Sequence, residues 1–285
     1  MPDFAIVDTH VHFYDHDHVP IPWTRGVAPL NRAFRPADHD ADRAGVEVEA
    51  IVFVEVDVAP GLHLKEAEWV AGLAESDPRI QAIVAHVPLD RGEAVAPDLE
   101  ALASQPLVRG IRRLIQDEAD APAFCAAPAF LDALRLLPAH GLHFEICIRH
   151  HQMRAAIDLV ARLPEVSFVL DHIGKPGIAA RVREPWWEEI AELAALPNVV
   201  CKLSGVATEA HHDAWQEADL RPYVDRVLEL FGADRTMFGS DWPVMRLAIG
   251  YPRWVEIVDA ASSTWSVADR RRLYVDNAKR VYRLR

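Results

Sequence analysis

The sequence predicts a single (β/α)8 TIM barrel, a ring of eight parallel strands surrounded by helices. Short apolar runs alternate along the whole chain with stretches that have apolar residues at helical spacing. Strands that alternate with helices pair in parallel through right-handed crossovers. The length of 285 residues suits this fold, which typically takes about 250 residues. No low-complexity linker or change of composition marks a second domain, so we expect residues 1–285 to form one domain.

Eight strands and eight helices are predicted from these patterns. The predicted strands are Phe4–His10, Ala50–Val56, Ile80–Val87, Leu107–Leu114, Leu142–Ile148, Val166–Asp171, Val199–Leu203 and Arg235–Asp241. The predicted helices are Leu64–Glu75, Ala94–Ser104, Pro128–Ala139, Gln152–Arg162, Pro185–Leu196, Leu220–Phe231, Pro252–Ala260 and Val267–Tyr282. An open doubly wound sheet is the alternative architecture. It would need a glycine-rich phosphate turn after the first strand, where this chain has two histidines.

The segment from Phe13 to Asp40 is rich in Pro, His, Asp and Arg and lies between the first two predicted strands. On a barrel such a segment would lie over the C-terminal mouth as a partial lid. Trp23 in this segment would either line the pocket or simply hold the loop in place. The sequence leaves both roles open.

Charge and cysteine content limit the classes of partner. The net charge of −13 argues against a nucleic-acid surface and against an anionic membrane partner. The cysteines Cys125, Cys147 and Cys201 have no C-x-x-C spacing, which fits a reducing compartment. No basic leader and no apolar run of membrane-spanning length is present. We therefore expect a cytoplasmic protein that acts on a small molecule, and a homodimer is compatible with the sequence.

Two histidines lie at the C-terminal end of the first predicted strand, in the run Asp8-Thr9-His10-Val11-His12. Side chains alternate faces along a strand, so His10 and His12 point the same way. Two imidazoles at that spacing can reach a common cation, about 2.0 to 2.1 Å from each nitrogen. A pair of histidines that is only hydrogen-bonded at a strand end is the alternative. The motif alone does not decide between them.

Strands six and eight bring polar residues to the same level. His172 ends an apolar run just before Gly174. Asp241 ends strand eight on the same face as the small Gly239, so its carboxylate can reach the barrel axis. A carboxylate there could ligate a metal, act as a general base toward water, or do both. Capping a helix N-terminus is the alternative for Asp241.

Further candidates lie at other strand ends. An inward Arg112 would suit a substrate carboxylate or a developing oxyanion, or it could pair with an acid such as Asp117. No Gly-x-Ser-x-Gly motif and no P-loop is present, which favours hydrolysis by an activated water. The predicted substrate contacts are Arg112, Trp23, Lys175, Lys202 and Trp242, and the residues whose roles stay open are Glu55, Glu145, His150 and His151.

These runs carry a resemblance to the amidohydrolase superfamily (amidohydrolase 2 type). The similar branch is that of the TIM-barrel lactonases, which includes L-fuconolactonases, L-rhamnonolactonases and pyrone-dicarboxylate lactonase. The matching runs are Asp-Thr-His-Val-His-Phe-Tyr, Gly-Ile-Arg-Arg-Leu-Ile-Gln-Asp-Glu, Val-Leu-Asp-His-Ile-Gly-Lys-Pro, Cys-Lys-Leu-Ser-Gly and Met-Phe-Gly-Ser-Asp-Trp-Pro-Val. They occur in the family's order and span nearly the whole chain. Together they are specific for this branch.

The resemblance implies a catalytic and metal-binding centre of His10, His12, His172 and Asp241, with Arg112 on the substrate. Water would attack a lactone carbonyl, and Asp241 would pass its proton to the leaving alkoxide. Many members hold one divalent ion, commonly Zn²⁺, whereas pyrone-dicarboxylate lactonase works without one. We expect one such ion, with a metal-free site as the alternative.

The expected reaction is therefore the opening of a lactone of a sugar acid or of a ring-cleavage metabolite. The first alternative is an amide hydrolase or decarboxylase of the same superfamily, which would use the same ligands on a different leaving group. The second alternative is a barrel that binds a small ligand without turning it over.

Overall fold

Eight parallel strands form the barrel, and they follow one another around the ring in chain order. The computed structural model describes residues 1–285. Each strand pairs in parallel with the next, and the connecting helices cover the outside of the ring. The predicted single-domain (β/α)8 barrel is confirmed. None of the helices combines the length and the apolar character that a membrane span requires.

The strands and helices have the following bounds. The strands are β1 (Ile6–Val11), β2 (Val48–Val54), β3 (Ile80–His86), β4 (Val108–Arg112), β5 (His143–Ile146), β6 (Phe168–Leu170), β7 (Val199–Leu203) and β8 (Thr236–Phe238). The helices are α1 (Pro36–Arg43), α2 (His63–Ser76), α3 (Ala96–Ala103), α4 (Ala121–Ala126), α5 (Pro128–Leu136), α6 (Met153–Arg162), α7 (Trp186–Ala194), α8 (Glu217–Arg235), α9 (Tyr251–Ala261), α10 (Val267–Arg271) and α11 (Asn277–Tyr282). A π-helical segment, Arg272–Asp276, joins the last two helices.

Two predicted strand ends are wrong in a way that matters for the site. The sequence predicts that strands six and eight run to Asp171 and Asp241. In the structure β6 ends one residue earlier, at Leu170, and β8 ends three residues earlier, at Phe238. At these ends the backbone turns, and φ is 52° at His172 and 64° at Asp241. Few residues other than glycine adopt this left-handed region. The turn directs side chains inward that regular alternation would have placed on opposite faces.

Hydrogen bonds between the first strand and the segment after β8 close the barrel at its C-terminal rim. The Asp241 backbone N–H donates to the His10 carbonyl at 2.9 Å. The buried Asp8 carboxylate accepts from the Ser240 N–H at 2.8 Å and from the Tyr251 hydroxyl at 2.9 Å. Asp8 therefore holds the two segments that carry the His-x-His motif and Asp241 next to each other.

Three hydrogen-bonded polar side chains lie in the barrel interior below this rim. Lys202 on β7 donates to Glu145 on β5 at 2.5 Å, and the Tyr282 hydroxyl donates to the same carboxylate at 2.6 Å. All three side chains are fully buried. The C-terminal helix α11 is thereby joined to the inside of the barrel.

The segment predicted as a lid lies over one side of the mouth. Tyr14 pairs with Phe34 in an antiparallel bridge, and the Trp23 indole donates to the Val56 carbonyl at 2.8 Å. Tyr14 and Trp23 both line the cavity described below. Trp23 therefore does both things that the sequence left open, since it lines the pocket and is tied to the end of β2.

We predict that Tyr282→Phe lowers the free energy of unfolding by about 1–3 kcal/mol, because it leaves a buried carboxylate with one donor fewer. Urea unfolding at pH 7 would measure the change. Tyr223→Phe is the matched control, since Tyr223 is buried against Trp186 without a carboxylate partner. Equal, small effects of both substitutions would contradict a structural role for the Tyr282 hydroxyl.

Candidate active site

A cavity of about 260 Å³ opens at the C-terminal ends of the strands, the end of the barrel where TIM-barrel active sites lie. His12, Arg112, His172, Lys175 and Asp241 are among its lining residues. The first, fourth, sixth and eighth strands thus contribute to one pocket. The structure brings together the residues that the sequence analysis placed at separate strand ends.

The Asp241 carboxylate lies in the middle of three imidazoles. Its Oδ1 is 3.4 Å from His12 Nε2, 3.8 Å from His10 Nε2 and 3.9 Å from His172 Nε2. His12 and His172 are almost completely buried and His10 is fully buried. The alternative of a helix-capping Asp241 is therefore not what the side chain does, since its oxygen faces the histidines.

Hydrogen bonds determine which ring nitrogen of His12 and of His172 faces Asp241. The Nδ1 of His12 lies 2.8 Å from the Val54 carbonyl, which can only accept, so this nitrogen carries the proton. The Nδ1 of His172 lies 2.9 Å from the Ser204 hydroxyl. The Nε2 atoms of both rings are left to point at Asp241. This second contact of each ring is the usual way in which a metal-ligating histidine is oriented.

His10 is oriented by a charged partner. Its Nδ1 lies 3.3 Å from Asp171 Oδ1 and 3.3 Å from Lys202 Nζ, while its Nε2 lies 3.3 Å from Arg112 Nη1. The Arg112 guanidinium and the Lys202 ammonium can only donate and the Asp171 carboxylate can only accept, so the His10 ring is held between two cations and one anion. The Nε2 atoms of all three imidazoles lie within 4 Å of Asp241 Oδ1.

Arg112 is held by two carboxylates. Its Nε donates to Glu55 at 2.6 Å and its Nη1 donates to Asp171 at 3.2 Å. Both carboxylates are fully buried. The alternative that Arg112 pairs with nearby acids is therefore what the contacts show, with Glu55 and Asp171 as its partners in place of Asp117. Arg112 reaches the cavity with its charge already balanced, so its capacity to attract an anionic substrate is reduced.

Burial and neighbouring charges set the protonation states of the central groups. Burial lowers the pKa of His172 to about 4 and lowers that of His10 well below its usual value. Burial alone would raise the pKa of Asp241, but the interactions with His172 and His12 outweigh it and hold that pKa below its usual value. At neutral pH the centre therefore combines neutral imidazoles of His10 and His172 with the ionised carboxylate of Asp241.

Four of the predicted substrate contacts differ in placement. Lys175 and Arg112 line the cavity, whereas Lys202 has no exposed surface and lies below the site between Glu145 and Asp171. Trp242 is also fully buried, and its indole donates to Asp42 at 2.8 Å outside the cavity. The expectation that Lys202 and Trp242 face the substrate is therefore wrong, because both side chains are committed to the protein interior.

The residues with open roles can also be placed. Glu55 and Glu145 belong to the buried ion pairs with Arg112 and Lys202. His150 and His151 are outside the cavity, and the His150 ring contacts the Lys175 carbonyl at 3.2 Å. Neither histidine is placed to add a ligand to the cluster.

Asp171 is a central residue that the sequence analysis did not single out. It directly precedes His172, and strict alternation would have placed it on the opposite face. Because β6 ends at Leu170 and the chain turns at once, both side chains face the interior. The sequence signal that could have found it is the Gly174 and Pro176 that end the strand early.

The donor set has the chemistry to hold a metal ion. Nitrogen atoms of His10 and His172 and an oxygen of Asp241 lie within 4.8 Å of one another, with His12 Nε2 beside the same oxygen. Two ligands bound tetrahedrally at about 2.1 Å from an ion lie about 3.4 Å apart, close to the nitrogen–oxygen distances given above. Neutral imidazoles and an ionised carboxylate are the states in which these groups bind metals.

The histidine–aspartate cluster at the strand ends of a TIM barrel is typical of hydrolases. Comparison with protein families identifies the family. The chain belongs to the amidohydrolase family, which it matches over residues 7–284. The resemblance stated from the motifs is thereby confirmed.

Individual relatives are similar over nearly their full lengths. An L-fucono-1,5-lactonase from Burkholderia ambifaria is 34% identical over 98% of this chain and 95% of its own. An L-rhamnono-gamma-lactonase from Scheffersomyces stipitis is 24% identical over the whole of both chains. The crystal structure of an amidohydrolase from Burkholderia multivorans with bound Zn is 31% identical, has a TM-score of 0.88, and aligns over 99% of this chain and all of that one.

The low pKa of His172 has a measurable consequence for stability. In the unfolded chain this residue is protonated as the pH falls below about 6.5, whereas in the folded chain it is protonated only near pH 4. Unfolding therefore becomes easier as the pH falls from about 6.5 to about 4, and this contribution is fully present above that window. We predict that His172→Gln, freed of metal with a chelator, loses less stability than the wild type between pH 7 and pH 4.5.

Urea unfolding of both proteins at the two pH values would measure the difference. His212→Gln is the control because His212 is exposed. An identical pH dependence in His172→Gln and the wild type would contradict the assignment of a buried, neutral His172.

Proposed function

We propose that this chain is a lactonase, a carboxylic-ester hydrolase that opens a small lactone with a water molecule. The observation that carries the proposal is the placement of the ionised Asp241 carboxylate among three oriented imidazoles at the bottom of an open cavity. Relatives named as lactonases, one of them 34% identical over nearly the full chain, support this reaction. They favour it over amide hydrolysis or decarboxylation by the same residues.

In the proposed reaction Asp241 is the general base. Its low pKa keeps it ionised, and its Oδ1 lies at the floor of the cavity where a water can sit between it and a bound lactone. Asp241 would take the proton of the attacking water and return it to the ring oxygen as the carbon–oxygen bond breaks. The reaction has a single product, the hydroxy acid, because the leaving alkoxide belongs to the same molecule as the new carboxyl group.

We propose that His10, His12, His172 and Asp241 hold one divalent ion, Zn²⁺ in the first instance. The related amidohydrolase with bound Zn and the donor chemistry of these four side chains support the proposal. When bound, such an ion would polarise the lactone carbonyl and lower the pKa of a bound water toward about 7. The charged neighbours of His10, which are Asp171, Lys202 and Arg112, keep its ring in a fixed orientation.

The charge of the cavity favours a neutral substrate. Its lining carries more carboxylates than cations, with Asp57, Asp117 and Asp241 against Arg112 and Lys175. The charge of Arg112 is balanced from below, as described. Because the Arg112 guanidinium is already paired, Lys175 is the one lining cation without a carboxylate partner that a substrate carboxylate would meet. A lactone of a sugar acid, which carries no charge until it is opened, fits this environment better than the anionic lactone of a ring-cleavage metabolite.

We also propose a reducing compartment, the cytoplasm, for this chain. Cys125, Cys147 and Cys201 are all free thiols, which is the usual state of cysteines in that compartment. Burial raises the pKa of Cys147 to about 11, so this cavity-lining thiol stays protonated and does not compete with water as a nucleophile.

We predict that Asp241→Asn lowers kcat on a neutral aldonolactone by about 10²- to 10⁴-fold, because the amide cannot take the proton of water. Acid release followed with a pH indicator would measure it, and circular dichroism would verify that the variant is folded. Asp90→Asn, at an exposed carboxylate that pairs with Arg113, is the control. Full activity of Asp241→Asn would disprove the assignment of the general base.

A further inference from the structure

We propose that a second cavity, at the N-terminal ends of β3 and β4, binds a phosphate dianion through Arg109, Arg283 and Arg285. The phosphate would be free or would be the end group of a small organic phosphate. This cavity lies at the opposite end of the barrel from the candidate active site, so the proposal does not depend on lactone hydrolysis. It follows from cations that converge without carboxylate partners and from the hydrogen-bond donors around them.

The second cavity has a volume of about 910 Å³, against about 260 Å³ for the cavity at the candidate active site. Its lining comes from α2, from the first residues of β3 and β4, and from the residues that follow α11. Ile80 and Leu107 contribute apolar surface. A cavity of this size has room for an organic group beside a phosphate.

Three guanidinium groups converge on this cavity. Arg109 on β4 and Arg283 and Arg285 after α11 all line it, and none of the three forms an ion pair with a carboxylate. Burial lowers the pKa of Arg109 below its ordinary value, and the charges of Arg283 and Arg285 lower it further. Like charges brought together in this way repel one another. In a chain with 43 acidic residues and a net charge of −13, the absence of a carboxylate partner points to an external anion.

The side chain of Arg109 is held in place with one edge left free. Its Nε donates to the Tyr282 carbonyl at 2.9 Å, and its Nη1 donates to the Val108 carbonyl at 3.1 Å and to the Pro106 carbonyl. Its Nη2 has no partner in the protein, so two N–H bonds remain available. A guanidinium fixed before the ligand arrives loses little side-chain entropy on binding.

Two amide side chains add donors to the same lining. The Oε1 of Gln81 accepts from the Arg285 backbone N–H at 3.0 Å, and the Oε1 of Gln105 accepts from the Leu107 backbone N–H at 3.2 Å. Each amide therefore has its NH₂ group left for a ligand. Together with the three arginines, this side of the cavity offers donors to an oxyanion. A phosphate dianion has more charge and more acceptor oxygens than a carboxylate, so it matches this set better.

Carboxylates occur only on the other side of the cavity. Glu68 and Glu75 on α2 line it without pairing with any of the three arginines. With three cations against two anions, the lining as a whole stays positive. The two glutamates would confine a phosphate to the arginine side, and they could accept hydrogen bonds from hydroxyl groups of an attached organic group.

Isothermal titration calorimetry of the full-length protein with glycerol 3-phosphate, inorganic phosphate and acetate tests the proposal. We expect one equivalent of either phosphate to bind at this cavity, and acetate to bind at least about tenfold more weakly. The double substitution Arg283→Gln and Arg285→Gln should weaken phosphate binding by about tenfold or more. Both side chains are exposed and make no hydrogen bond, so we expect this variant to fold. Tighter binding of the ester would identify an organic phosphate as the ligand, and tighter binding of inorganic phosphate would identify the free ion.

Two control variants separate this cavity from other sites. Arg135→Gln removes an arginine that pairs with Asp132 on the surface, and Lys175→Met removes the unpaired cation of the candidate active site. Both should bind phosphate as the wild type does. The proposal would be overturned if neither phosphate bound, if binding survived the double substitution, or if acetate bound as tightly. Equal weakening in either control variant would also overturn it.

Discussion

The structure depends on a network of buried ion pairs inside the barrel. Three fully buried carboxylates, Glu55, Glu145 and Asp171, face two buried cations, Arg112 and Lys202. Removing one partner of a buried pair costs about 3–5 kcal/mol, a large part of the about 5–15 kcal/mol that stabilises a typical domain. These side chains therefore have little freedom to move. The same buried ion pairs orient His10 in the histidine–aspartate cluster above them. Through the hydrogen bond of Tyr282 to Glu145 they also attach the last helix.

This arrangement separates two kinds of cation at the cavity. The guanidinium of Arg112 is fully paired with buried carboxylates, and it holds His10 and the ends of three strands in place. The ammonium of Lys175 has only the neutral Gln116 as its partner and is free for a substrate. Residue type and strand-end position were alike in the two, and only the contacts tell a structural cation from one that can bind.

Much of the fold could be predicted from periodicity, because eight parallel units in one chain leave few other topologies. The His-x-His pair, His172 and Asp241 could be predicted as one cluster because parallel strand ends meet at one rim. The errors come from residues whose environment is set by tertiary contacts. Lys202 and Trp242 lie at strand ends like the true lining residues, yet partners distant in sequence draw both inward. Asp171 was overlooked because an early strand end reverses the rule of alternation.

We propose that the cluster of His10, His12, His172 and Asp241 holds one divalent ion that takes part in hydrolysis. Metal analysis of protein purified without chelators, for the wild type and for His10→Ala, tests it most directly. We expect about one equivalent of metal in the wild type, its loss in His10→Ala, and loss of lactone hydrolysis when a chelator removes the ion. Wild-type protein that contains no metal and opens a lactone at an undiminished rate after chelation would contradict it.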